Sequence, residues 1–370
     1  MSTPAPGRSF SCPALPALRT VPVTMDNPPA APLSGVRVLD LATGPTGALA
    51  CTLLTGLGAS VTRLKPAGPD PFLESSPMYA MLRSQVATLD FSCDTLHQQL
   101  EQADACLLGG DDYPGSTQVP SAARVEELAA AYPSGVFLAI SGTVPGSTRG
   151  DLPANDLLAQ ARSGLASEHF SDRPIAFGVA LPTYGAVLHG VIALIAALYE
   201  REVSGRGEVI RTSLVQGAAA FMTSYWIQDQ GSKRKITGKI PKGVRWAMLQ
   251  CGDGRWITYA QGIPGSTARI HEVAGLTPPE GSENARWSPA TEDPAAYFGV
   301  TGELAEAFMK WQSADLHRRL IEAGVTAEIV RSPGDCWSDP QVEANRLLVH
   351  AEDGGTYVGS PIGFVTGSQL

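Results

Sequence analysis

Between Asn155 and Arg211 the chain gathers side chains able to do chemistry: the carboxylates of Asp156 and Asp172, the Thr183 hydroxyl and the His189 imidazole. Thr183 follows Pro182, which closes a short apolar run from Ile175 to Leu181. From Gly185 a long apolar segment, roughly fourteen residues, continues to Tyr199, Glu200, Arg201 and Glu202. It is too short for a membrane span and suits a buried core helix. A loop residue at the mouth of a buried helix is a common place for a reactive group. A threonine hydroxyl attacks an acyl carbon only with a base beside it. His189 stands six residues on, about one and two-thirds turns of a helix, and so faces elsewhere; it reads as an ordinary helix histidine. Asp172 sits in a polar break and reads as a loop carboxylate, and Asp156 is placed to cap a helix that starts at Leu157.

The elements that must position these groups alternate along the chain. Val36–Leu41 reads as a buried strand, followed by a glycine-rich turn entering a helix, and Val61–Leu64 supplies the next strand. This β-α-β unit implies a parallel sheet with a ligand crevice at the carboxyl ends of its strands. A helix and strand over Leu96–Leu108 and a strand at Val136–Ser141 extend it, so four strands alternating with helices predict a doubly wound domain. Thr212–Met222 forms another apolar helix. Gly231–Arg245 then holds Lys233, Arg234, Lys235, Lys239, Lys242 and Arg245, either a solvated linker or a mobile arm that meets ligand phosphates. Trp246–Tyr259 reads as a hairpin turning at Asp253-Gly254. Gly275–Asp293 is polar and irregular, and Phe308–Val330 gives a helix and a short strand.

The 370 residues suffice for two lobes, and a net charge of −9 argues against general nucleic-acid binding, which needs a basic footprint. Cys12, Cys51, Cys93, Cys106, Cys251 and Cys336 show no metal-ligand spacing and read as reduced thiols, so neither a metal nor a disulfide framework is expected. Residues 1–33 are rich in Pro, Ala, Ser and Thr and read as a disordered leader, with Met25 an alternative start. A cytoplasmic protein, with neither membrane nor nucleic acid as partner, is the expectation.

Several stretches resemble one family. Asn155–Leu165 followed by Ala197–Arg201 and Gly205–Gly207 resembles the pattern D-L-L-x-Q-A-x-S-G, a strand, an Asp, then an Ala-rich helix ending A-L-Y-E-R and G-x-G, of the class III coenzyme A transferases. Formyl-CoA transferase, carnitine CoA-transferase and α-methylacyl-CoA racemase belong to that group. Val36–Lys65, Leu82–Phe91, the hairpin, Asp339-Pro340-Gln341-Val342 and Gly359-Ser360-Pro361-Ile362 resemble further family motifs, so the likeness runs from Leu33 to Phe364.

The resemblance implies an α/β fold: a leader (1–33), a large Rossmann-like domain (34–225), a smaller α+β domain (226–330) and a C-terminal segment (331–370) returning to the large domain. It also implies an interlocked dimer, with itself or with a paralogue. The implied substrates are an acyl-CoA thioester, with coenzyme A its carrier, and a carboxylic acid. In the family an Asp attacks the thioester; aligned here, that Asp falls on Thr183, so the standard transfer lacks its carboxylate. Asp156 matches a position where relatives keep an acid near the active site, and His189 is a weaker candidate base. Coenzyme A contacts are implied for Thr46, Gly47, Ala48, Lys65, Arg83 and Gln85, and the family's Arg-bearing loop becomes Gly109–Gly115 with Asp111 and Asp112. Asn155 stands where the racemases have histidine. The implied activity is that of a CoA-transferase-like enzyme, with a non-catalytic subunit of a heteromeric transferase or a repurposed racemase or lyase as alternatives.

Overall fold

Runs of β-branched and aliphatic residues with apolar side chains on both faces build the centre of the protein. In β4 (Ala105–Gly109) and β5 (Val136–Ser141), Ala105, Leu107, Val136, Leu138 and Ile140 join one apolar cluster, while Cys106, Leu108, Phe137 and Ala139 join another. Strands buried on both faces belong to a parallel sheet covered by helices on each side. The computed structural model describes residues 31–65, 70, 72–73, 76–84, 86–109, 124–143, 153–167, 173–223, 248–260, 263–283, 302–345, 347–350, 356–359 and 362.

With β1 (Arg37–Asp40), β2 (Ser60–Lys65), β3 (Ala87–Asp90) and β6 (Val209–Ser213), these strands form a six-stranded sheet in the order β3-β2-β1-β4-β5-β6. Every pairing is parallel. The order reverses between β1 and β4, so their carboxyl ends border the crevice where such sheets bind ligands. Helices α1 (Gly44–Gly56), α2 (Pro77–Ser84), α3 (Cys93–Gln102), α4 (Val125–Ala131), α5 (Asp156–Ser163), α6 (Leu181–Ser204) and α7 (Leu214–Phe221) complete this part. The first apolar cluster seats α1 and α6 on one face, and the second seats α3 and α4 on the other. At its far end α6 is anchored by Arg201, whose guanidinium donates to the Asp104 carboxylate at 3.0 Å and to the Asp104 carbonyl at 3.1 Å.

The four expected strands are present and two more flank them. The additions are the sheet's edges, and all four residues of β3 are exposed, so no apolar run announces it. The stretch 173–180 is irregular rather than a strand, and the helix after it starts at Leu181, not Gly185. At 24 residues α6 is long and apolar enough to cross a membrane by length and composition, so the length argument against a span fails; 56% of its most apolar window is buried in the protein.

A second, three-stranded antiparallel sheet, ordered β7-β8-β9, consists of β7 (Met248–Gln250), β8 (Trp256–Tyr259) and β9 (Ala327–Ile329). The β7–β8 hairpin turns where expected, with Gly254 at φ 81°. Its own core, including Leu249, Ile257, Phe308, Leu316 and Leu320, is formed with α8 (Ser266–Val273), α9 (Gly302–Phe308) and α10 (Ser313–Glu322). The helix and short strand expected within Phe308–Val330 are α10 and β9, with α10 starting at Ser313 after α9 has ended at Phe308; Asp253 caps α10 by accepting from the Ser313 amide at 3.0 Å and hydroxyl at 2.7 Å. Short helices α11 (Pro333–Cys336) and α12 (Pro340–Ala344) and an antiparallel pair, β10 (Leu348–His350) with β11 (Thr356–Val358), follow. Asp172, Gln85, the 110–115 loop and the basic stretch 231–245 lie outside the described residues.

Candidate active site

The first turn of α6 has N–H groups to satisfy and no side-chain cap of its own: its N-cap residue is Ala180. Helix N-termini leave such donors open and carry partial positive charge. The missing partner comes from α5, where Asp156 Oδ1 accepts from the Thr183 amide at 2.9 Å. Asp156 is free to do so because Asn155, and not Asp156 as the sequence suggests, caps α5, its side chain accepting from the Leu158 amide at 3.2 Å. Asp156 is the first residue inside the helix, and its half-buried carboxylate points across to α6.

One turn along the same face, Gln160 completes the arrangement. Its Nε2 donates to Asp156 Oδ2 at 2.8 Å and to the Phe177 carbonyl at 3.2 Å, while its Oε1 accepts from the Phe177 amide at 2.8 Å. Only 2% of Gln160 is exposed. Its amide orientation is therefore set by Phe177, which leaves Nε2 aimed at the carboxylate. The i, i+4 spacing of Asp156 and Gln160 was visible in the sequence, but the partner at residue 183 was not.

Thr183 is buried in the first turn of α6 and not a loop residue. His189 stays apart from it: it is exposed, and its Nδ1 donates to the Gly185 carbonyl at 2.7 Å. That imidazole instead borders a cavity of about 530 Å³ between α6 and α7, with Thr212, Gln216 and Thr223. Thus the structure joins Asp156 to position 183 and leaves His189 on another side. The close crossing of α6 and α7 needs glycine at both contact points. A Cβ at Gly217 would lie 2.3 Å from both the Pro182 carbonyl oxygen and the Ala186 nitrogen, and one at Gly185 would lie 2.3 Å from the Gly217 carbonyl oxygen.

At the carboxyl end of β1 a second polar cluster is sealed inside. Arg83 is only 4% exposed and ion-pairs with Asp40, which is fully buried. It also donates from Nη2 to the Ala42 carbonyl and from Nε to the Tyr79 hydroxyl, both at 3.0 Å. The Tyr79 hydroxyl donates to Asp70 at 2.8 Å, and Arg63 donates to the same carboxylate oxygen at 2.7 Å. Burial pushes the Tyr79 phenol up to about 12, against the pull of the two guanidiniums. Burial also opposes ionisation of Asp70, but hydrogen bonds from Arg63, Tyr79 and the Phe72 amide outweigh it and hold that carboxyl below its usual value.

This arrangement alters what the implied coenzyme A contacts offer. Arg83 spends its guanidinium inside the protein and presents no free cation to a phosphate. Thr46, Gly47 and Ala48 are buried in the first turns of α1, with Gly47 packed so tightly on Ala42 and Arg83 that a Cβ would lie 2.6 Å from the Ala42 methyl. Lys65, at the end of β2, is half exposed and paired with Asp90 at 3.1 Å, so it remains the surface cation of the set. Sequence reading missed Asp40, Arg63, Asp70 and Tyr79, because charges closing on one another from different elements leave no local pattern.

Comparison with known proteins bears on the family and the fold. The sequence profile of CoA-transferase family III matches residues 33–367. A succinate–glutarate CoA-transferase from Agrobacterium fabrum is 25% identical over 351 residues, covering 87% of this chain and 86% of that protein. A formyl-CoA:oxalate CoA-transferase from Streptomyces avermitilis is 25% identical over 379 residues, covering 89% and 88%. Among solved structures, a CAIB/BAIF family protein from Brucella suis superposes with a TM-score of 0.74 at 20% identity, covering 91% of this chain and 93% of that one.

Proposed function

Because this chain belongs to CoA-transferase family III, we propose that it handles an acyl-CoA thioester and a carboxylic acid at the first turn of α6. Thr183 stands there where the family's acid is expected, so transfer does not pass through residue 183. The observation that carries this reading is the Asp156 carboxylate held on the Thr183 amide, which keeps an acid at the amino end of α6. A hydroxyl cannot replace that acid in an anhydride relay, since an alkoxide is a poor leaving group. Thr183→Asp puts a carboxylate on this turn, where the helix dipole favours negative charge. The variant is expected to exchange coenzyme A from succinyl-CoA to glutarate faster than the parent protein. Failure of both proteins to bind coenzyme A by calorimetry would overturn the reading.

We also propose that α6 is covered by a second chain, either another copy or a paralogue. Tyr184, Leu188, Ile192, Tyr199 and Val203 recur at helical spacing on one side of α6, and their exposures run from 38% to 75%. A continuous apolar stripe of this kind marks an interaction surface. Ile192→Asp with Tyr199→Asp is expected to turn a dimer into a monomer in light scattering after size exclusion. A parent protein that is already monomeric would remove this proposal.

A further inference from the structure

We infer that Asp156 is itself the covalent carrier, with the Thr183 amide as the donor that stabilises its tetrahedral intermediates and the Gln160 side chain as the group that orients its attacking oxygen; this rests on the reading of the site as one for acyl-CoA. Three observations lead there. Asp156 is the carboxylate that the structure brings to the first turn of α6, and it remains half-exposed. Each of its oxygens accepts one hydrogen bond, at 2.9 Å from the backbone and 2.8 Å from Gln160, so each keeps a lone pair. Both donors are fixed before any ligand arrives: one is a helix amide, and the other is locked by Phe177 on both sides of its own amide group. Donors at about 2.7–3.1 Å from a developing oxyanion, already oriented, are the arrangement that lowers acyl-transfer barriers most. A carboxylate needed only to cap the helix would not require a second, buried donor held in place by a separate segment.

The chemistry balances without any oxidant or added acid. Asp156 Oδ2 attacks the thioester carbonyl carbon, the C–S bond breaks, and coenzyme A leaves as thiolate, giving a mixed anhydride. The thiolate attacks Asp156 Cγ, the anhydride C–O bond breaks, and the donor's carboxylate departs. While Cγ is tetrahedral, the negative charge on Oδ1 faces the Thr183 N–H. The acceptor carboxylate then attacks the Asp156 thioester, expels thiolate and forms a second anhydride. Thiolate attack on the acceptor's acyl carbon frees Asp156. Gln160 holds Oδ2 until the first attack; that oxygen leaves with the donor's carboxylate, and the oxygen that the acceptor leaves on Cγ takes its place against Gln160 at the end.

The test uses the full chain incubated with succinyl-CoA, quenched with borohydride to reduce an enzyme thioester, digested and mapped by mass spectrometry. Reduction to the alcohol is expected on the peptide that contains Asp156, and it is expected to disappear in Asp156→Asn. Asparagine still accepts from the Thr183 amide, so that variant keeps the helix contact while losing the nucleophile. Gln160→Leu is expected to lower the labelling rate at least tenfold while calorimetric coenzyme A affinity stays within twofold, which a merely structural role would not produce. Label on any other residue, or no label on a protein that binds coenzyme A, overturns this inference and leaves the acyl-CoA reading standing. Absence of coenzyme A binding overturns both.

Discussion

Replacing Arg83 with methionine is expected to lower the unfolding free energy by about 3–5 kcal/mol, because it strands a buried charge. Asp40 has no exposed surface, and its partner is a guanidinium that also serves the Ala42 carbonyl and the Tyr79 hydroxyl. Methionine fills much of the same volume and supplies none of those donors. Urea unfolding followed by circular dichroism reads the loss as a lower midpoint at an unchanged slope. Adding Asp40→Leu to the same chain is expected to recover much of the loss, since a matched apolar pair leaves no charge unpaired. A midpoint unmoved by the single change would mean that the pair is not closed to water.

Gly217→Ala is expected to destabilise the protein by about 3 kcal/mol, the upper part of the usual cost of overpacking. The new methyl would meet the Pro182 carbonyl oxygen and the Ala186 nitrogen, both backbone atoms of α6, at 2.3 Å. Backbone cannot rotate aside, so one helix must move. The turn that gives way also presents the Thr183 amide to Asp156, so coenzyme A exchange is expected to fall with stability. Gly302→Ala is the control: nothing lies within 4 Å of its added carbon, and a change within about 0.5 kcal/mol is expected. Thermal unfolding of the two variants side by side checks both.

Much of the large sheet was legible because its central strands are apolar on both faces and its βα turn is marked by glycine. Edge strands β3 and β6 were not, since a strand paired on one side needs no such run. The hairpin at Asp253-Gly254 was legible from its turn chemistry alone, but the role of Asp253 as the cap of α10 depends on a partner sixty residues away in sequence. The site was half readable. Asp156 stood out through the family resemblance of its stretch, and the isolation of His189 followed from helical periodicity. That Asn155 would take the capping role and free Asp156 depends on backbone angles that no spacing encodes. Likewise, Arg83 looks like any surface cation until the fold closes Asp40 and Tyr79 around it.

Two aspartates from outside α6 hold its opposite ends: Asp156 takes the amide at residue 183, and Asp104 grips Arg201. A rod of 24 residues, roughly 36 Å long, is thereby clamped like a beam on two supports. Loosening the distant clamp at Asp104, which lies just before β4, leaves the rod's axial position to its apolar packing and to the crossing with α7 alone. Any axial shift that follows would be felt at the other support, between residue 183 and the Asp156 carboxylate, although nothing there had been altered.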